Sequence, residues 1–128
     1  MIPLLLALLF GDRTEMIASW YGHPFQGRRT ADGETFDLRE ATCASRTLPF
    51  GTLLLLERGD RAAVARVNDR GPWAVDSLGS LILPLQPHPS RDLDLSLFTF
   101  KSLALLDQGE ISIRVTVIGR IEEGRLCE

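Results

Sequence analysis

The sequence predicts a mainly β protein, a small β-barrel with one short helix. Three observations carry this. The segment "ISIRVTVIGRI" alternates strictly, with Ile111, Ile113, Val115 and Val117 facing one way and Ser112, Arg114 and Thr116 the other. That period of two marks a half-buried strand. Other short apolar segments are separated by Gly, Pro and Asp-Gly turn signals. One stretch alone, from Leu97 to Ala104, carries apolar residues at helical spacing. At 128 residues the chain is one domain, and many short strands in one domain close most readily as a barrel.

Taken in order, the chain opens on an apolar run, Ile2 to Phe10. It is too short for a membrane-spanning helix, which needs about 20 residues. Its length suits the apolar core of a signal peptide, although no Lys or Arg precedes it and no A-x-A site follows. No cysteine lies just after the run, so a lipid anchor is not expected. Residues 1–15 are therefore read as an N-terminal segment, 16–120 as the barrel domain, and 121–128 as a tail. "MIASWYG", from Met16 to Gly22, alternates as a strand. "HPFQGRRTADGETFD" carries turn signals at His23-Pro24, Gly27 and Asp32-Gly33, and reads as a loop or wide hairpin. "LPFG" turns into the buried strand "TLLLLE", and "RGDR" makes a hairpin turn into "AAVARVND".

Beyond Ala74 the pattern loosens. Pro84, Pro87 and Pro89 forbid a continuous helix or a central strand. Residues 75–90 are expected to form a long surface excursion. Ser96 then caps a helix whose face carries Leu97, Phe100, Leu103 and Ala104, and Gly109 is expected to end it.

Composition narrows the function classes. The formal net charge is −3, with no Lys/Arg block, which speaks against a nucleic-acid binder. Cys43 and Cys127 are the two cysteines, and neither has a His or Cys neighbour at metal-ligand spacing. No metal or other cofactor is predicted. In an exported protein the two cysteines can pair; in a reducing compartment they are free thiols. Asp92 and Asp94 straddle Leu93 but lack a third ligand nearby. His23 and His88 sit beside prolines in loops, and neither is given a site role.

Four motifs occur in a fixed order: "ASWYGHPFQGRRTADGETFD", "RTLPFGT", "VARVNDRGPW", and "DLS" before the helix. In this combination the chain resembles the rare lipoprotein A family, from about Ile17 to Val117. The resemblance implies a six-stranded double-psi β-barrel, the fold also of expansins, barwin-like proteins and family-45 endoglucanases. It implies an exported lytic transglycosylase that cleaves peptidoglycan glycan strands and leaves 1,6-anhydro sugar ends, in the periplasm or cell envelope. Residue by residue it implies an acidic site of Glu34, Asp69 and Asp94. Thr30, Ser45 and Arg70, within the same motifs, are expected to bind substrate. The family motif before L-P carries a histidine where this chain has Ser45. That departure sustains a second reading, a non-catalytic glycan-binding or wall-loosening module in the manner of expansins. A third is a phage-borne or secretion-linked cell-wall accessory. The excursion at 75–90 is longer than the family's connection. The barrel is expected to stand nearly alone, as a monomer without a membrane span.

The chemistry asks for such residues. Breaking a glycosidic bond passes through an oxocarbenium-like transition state and needs a proton on the leaving oxygen. A carboxyl group with a raised pKa can supply it. In a lytic transglycosylase the sugar's own 6-hydroxyl is the attacking group, so one carboxyl group acts first as acid and then as base. A second stabilises the positive ring. Asp69 ends an apolar strand and is cast as the acid/base. Asp94, before a helix N-terminus whose dipole favours the ionised form, is cast as its charged partner. Trp20, Tyr21 and Trp73 offer faces for sugar rings, although Trp20 and Tyr21, adjacent on a strand, should point opposite ways and put one in the core. Plain structural readings stand beside these: a strand-end turn for Asp69, a helix start for Asp94 and a hairpin-flank charge for Glu34.

Overall fold

The computed structural model describes residues 13–122 and 125–127. The apolar run at Ile2 to Phe10 lies outside them. Seven strands and a helix make up the chain: β1 Thr14–Tyr21, β2 Thr42–Ser45, β3 Thr52–Arg58, β4 Arg61–Asp69, β5 Leu93–Ser96, α1 Leu97–Leu103, β6 Ile111–Glu122 and β7 Arg125–Cys127. They form one sheet in the order β1-β5-β2-β4-β3-β6-β7, and β1 also pairs with β6, closing six strands into a barrel. The β1–β5 and β2–β4 pairs are parallel, while the other neighbours are antiparallel. Two parallel crossings within one closed barrel give the double-psi architecture. Beyond residue 120, β6 continues to Glu122 and β7 folds back on it, with Ile121 opposite Leu126.

The alternation read from the sequence fills the barrel. On β6, Ile111, Ile113 and Val115 enter the core; on β3, Leu54 and Leu56 do so, and Leu53 and Leu55 are half-buried on the other side. Ala65 and Val67 of β4, and Leu93 and Leu95 of β5, complete the interior with Phe100 and Leu103 of the helix. Cys43 is buried among them as a free thiol. Burial pushes its pKa up to about 12, so it is a small packing residue without thiolate chemistry.

The helix begins as expected and ends early. The Ser96 hydroxyl accepts from the Thr99 N–H at 3.3 Å and donates to the Glu40 carbonyl at 2.6 Å. The last helical residue is Leu103, and Ala104 is already extended. Gly109, at φ +73°, instead closes a separate 3₁₀ turn, Leu106–Gln108. The reason is packing. Extending the chain at Ala104 seats Ala104 in the core and lays Leu106 against it, while Arg58 donates to the freed Leu103 carbonyl at 3.2 Å.

The "LPFG" turn is fixed by Gly51. Its φ is +89°, and a Cβ there would lie 2.0 Å from the Ile121 carbonyl oxygen. Only glycine allows this approach, which lets the Gly51 N–H donate to Val67 and its carbonyl accept from Ile121.

The long excursion is ordered. Trp73 bridges to Pro87 and Val75 to Leu81. The Ala74 N–H donates to Gln86, and that of Ile82 to Ala74. Arg46 joins its two ends: one guanidinium nitrogen donates to the Pro72 carbonyl at 2.8 Å and the Arg91 carbonyl at 2.9 Å.

Candidate active site

Strand register decides which acidic residues meet. Ser19 on β1 lies opposite Asp94 on β5, Asp94 opposite Ala44 on β2, and Ala44 opposite Asp69 on β4. In-register residues on neighbouring strands share a face. Asp94 and Asp69 therefore flank the small Ala44 on the outer face of the barrel, about 10 Å apart along the sheet at two strand spacings. A bulge makes this row. Cys43 pairs with Val67, but the next residue, Ala44, pairs with Asp69 and passes over Asn68. In strict alternation Asp69 would share the inward face of Val67; the bulge turns it outward.

Two segments wall this face into a cleft of about 630 Å³. One is the hairpin that follows β1; the other is the excursion after β4. Trp20, Tyr21, Asp69, Arg70, Trp73 and Asp94 all line the cleft, and Ala44 forms its floor. Both Trp20 and Tyr21 reach it, although only one was expected to. Trp20 packs partly on the core and donates its indole N–H to Leu106 at 3.2 Å. The Tyr21 ring stacks on Phe36 at 4.6 Å and meets Phe25 edge-on at 5.5 Å. Its hydroxyl is buried and has no hydrogen-bond partner among the described residues. Burial, and then the negative charge of Asp69, push its pKa well above the ordinary tyrosine value, so it stays a neutral donor.

The two cleft carboxylates differ. Asp69 is oriented by backbone: one of its oxygens accepts from the N–H groups of Ala31 and Arg70, each at 2.9 Å. Asp94 accepts from the buried Ser19 hydroxyl at 2.6 Å. Burial raises its pKa from the ordinary carboxylate value, against the Ser19 hydrogen bond and the charges of Arg91 and Arg46, which lower it. Asp94 is therefore shifted in the direction opposite to the dipole stabilisation expected from its place before a helix. It sits inside β5, two residues ahead of the helix cap, where desolvation outweighs the favourable charges.

Three residues expected at the site lie elsewhere. Glu34 makes a bidentate pair with Arg66 at 2.8 and 3.0 Å and accepts from Asn68 at 3.1 Å. The Arg66 hydrogen bond holds its pKa below the usual value. Glu34 thus pins the hairpin onto β4, which brings the Ala31 N–H to Asp69. The buried Thr30 hydroxyl bonds Asp32 within the same turn. Ser45 is buried, and its hydroxyl accepts from the N–H groups of Thr47 and Leu48. Arg70 lines the cleft but turns from Asp69: its guanidinium donates to the Ser45 and Leu48 carbonyls and lies 3.9 Å over the Phe50 ring.

The cleft also contains residues to which the sequence reading gave no site role, among them His88, which it set aside. His88 and Arg91 line it from the end of the excursion. Ser19 and Ala44 belong to the central row, and Arg46 holds the wall. Ser19 and Arg46 lie within two of the quoted motifs, but the place of each residue in the cleft follows from register and loop path.

These features define a double-psi barrel with an acidic, aromatic-lined cleft across its parallel strands. Comparison with known proteins agrees. A family model described as lytic transglycolase matches residues 13–115, and the chain belongs to that family. The chain is 54% identical over 81 residues to a probable endolytic peptidoglycan transglycosylase RlpA of Synechocystis, covering 62% of this chain and 24% of that protein. It is 33% identical over 111 residues to the endolytic peptidoglycan transglycosylase RlpA of Campylobacter jejuni, covering 85% and 35%. With the Pseudomonas aeruginosa protein of that name it shares 35% identity over 107 residues, covering 82% and 27%. The chain therefore spans about a quarter to a third of these relatives. Among solved structures, the Streptomyces papain inhibitor (SPI) superposes with a TM-score of 0.60 at 20% identity, over 85% of this chain and 96% of that one. That likeness concerns the fold.

Proposed function

We propose that this domain cleaves peptidoglycan glycan strands as a lytic transglycosylase, working in the cell envelope. The observation that carries the reading is the pairing of Asp94 and Asp69 across Ala44 in one cleft. Burial favours the protonated form of Asp94, which makes it the carboxyl group to give a proton to the glycosidic oxygen as the C1–O bond breaks. The Asp94 carboxylate left behind then takes the proton of the sugar's 6-hydroxyl as that oxygen attacks C1, closing the 1,6-anhydro ring. Asp69, oriented by two backbone N–H groups, faces the positive charge that develops on the ring. The roles are thus the reverse of those assigned from the sequence. Trp73 supplies an apolar face for the sugars.

The test uses peptide-free glycan strands and mass analysis of the products. Wild-type protein should release anhydro-ended fragments. Asp94→Asn and Asp69→Asn should each lower kcat at least ~100-fold while leaving the fold intact. Binding of the strands with no anhydro product from wild type would replace this reading with the glycan-binding module.

A further inference from the structure

The excursion delivers a histidine to the cleft in a defined state. His88 is half-buried and lines the same cleft as Asp94 and Trp73. Its backbone N–H donates to the Pro72 carbonyl at 3.2 Å, and its neighbour Pro87 bridges to Trp73. The ring is held as firmly. The N–H groups of Ser90 and Arg91 both donate to Nδ1, each at 3.1 Å. An atom that accepts two N–H bonds carries no proton of its own, so the neutral ring keeps its hydrogen on Nε2. No protein group among the described residues bonds Nε2. The tautomer is thus set by the loop, and the remaining donor is left for something outside the protein.

We propose that His88 is a glycan-contacting residue whose Nε2–H donates to an oxygen of the sugar chain seated beside Asp94. This rests on the glycan reading above and adds a binding contact that the motif residues do not supply. A sugar chain offers hydroxyl, ring and amide-carbonyl oxygens, all of which accept from a neutral N–H. His88 and Asp94 line one cleft, so the two side chains face one space. The role is one of positioning: no bond is made or broken at the imidazole.

Two measurements test it. The first is imidazole 15N NMR of the whole chain, titrated with peptide-free glycan strands in an Asp94→Asn background that prevents turnover. The unbound protein should show the Nε2–H tautomer at His88, and the strands should shift the His88 Nε2 signal while that of His23 stays in place. The second is His88→Asn, whose shorter side chain still offers an oxygen to the N–H of residue 90 but lacks the ring donor. It should raise KM for glycan strands about tenfold, the loss of one hydrogen bond, with an unchanged Tm. An unmoved His88 signal overturns the proposal, as does wild-type KM in His88→Asn. If His88→Asn does not fold, the titration alone decides. A shifted ring in a protein that releases no anhydro product leaves the contact standing and removes the cleavage reaction, so the two readings fail separately.

Discussion

At the scale of single residues, burial separates carboxylates that look alike in the sequence. Asp94 is desolvated and has a raised pKa; Glu34 is ion-paired and has a lowered one. The consequences for stability have opposite signs. A folded protein that holds the Asp94 proton more tightly than the unfolded chain loses stability as pH rises from the ordinary carboxylate value to the raised one. Asp94→Asn removes that loss, so its Tm should exceed wild type at neutral pH and converge with it in strong acid, as thermal denaturation across pH will show. Glu34 behaves conversely. Its pairing with Arg66 stabilises above the ordinary carboxylate pKa and is lost as pH falls through the lowered one. Because its side chain is 40% exposed, solvent screens the pair, and Glu34→Gln should cost only about 1 kcal/mol at neutral pH. That variant should retain measurable glycan cleavage, whereas Asp69→Asn should not. Equal loss in both would return Glu34 to the reacting centre.

At the scale of elements, close backbone approaches and charged staples set the walls of the cleft. Gly51 lets the turn before β3 touch β6. Gly51→Ala should destabilise the domain by roughly 3 kcal/mol, combining a left-handed backbone with a clash against a carbonyl that cannot move aside; chemical denaturation measures this. Arg46 bonds both ends of the excursion. Arg46→Met should cost about 2 kcal/mol for the two charged hydrogen bonds and weaken glycan binding more than it lowers Tm, because the loosened wall carries Trp73 and His88. Proteolysis within 75–90 should accelerate in that variant and not in wild type. The excursion's outer side exposes Leu78 and Leu83 at 89% and 76%, so its order comes from the bridges and from Arg46, with little apolar burial of its own.

At the scale of the whole molecule, the barrel and its cleft are separable. The core closes through β1–β6 pairing and the helix, without a contribution from 75–90. Replacing residues 75–87 with a short turn should therefore leave a cooperative unfolding transition while glycan binding falls, which calorimetry on the shortened protein can compare. If the transition itself is lost, the excursion is part of the folding unit.

Much of this was present in the sequence because the relevant physics is local. The alternation at Ile111 to Val117, the "RGDR" turn and the Ser96 cap each depend on neighbours within a few residues, and each appears where expected. The order of the four motifs carried the family and with it the barrel. The tertiary structure decided what no local pattern encodes. A single bulged residue opposite Cys43 and Ala44 turns Asp69 out of the core and into the row of Asp94. Desolvation, which depends on every atom packed around a carboxyl group, raised the Asp94 pKa. Glu34 was drawn to Arg66 by a strand that lies far from it in sequence. His88 entered the cleft because prolines, bridges and Arg46 return the excursion to the barrel. Pairing register, burial and long-range charge are sums over contacts between distant segments, so they exist only once the chain has closed.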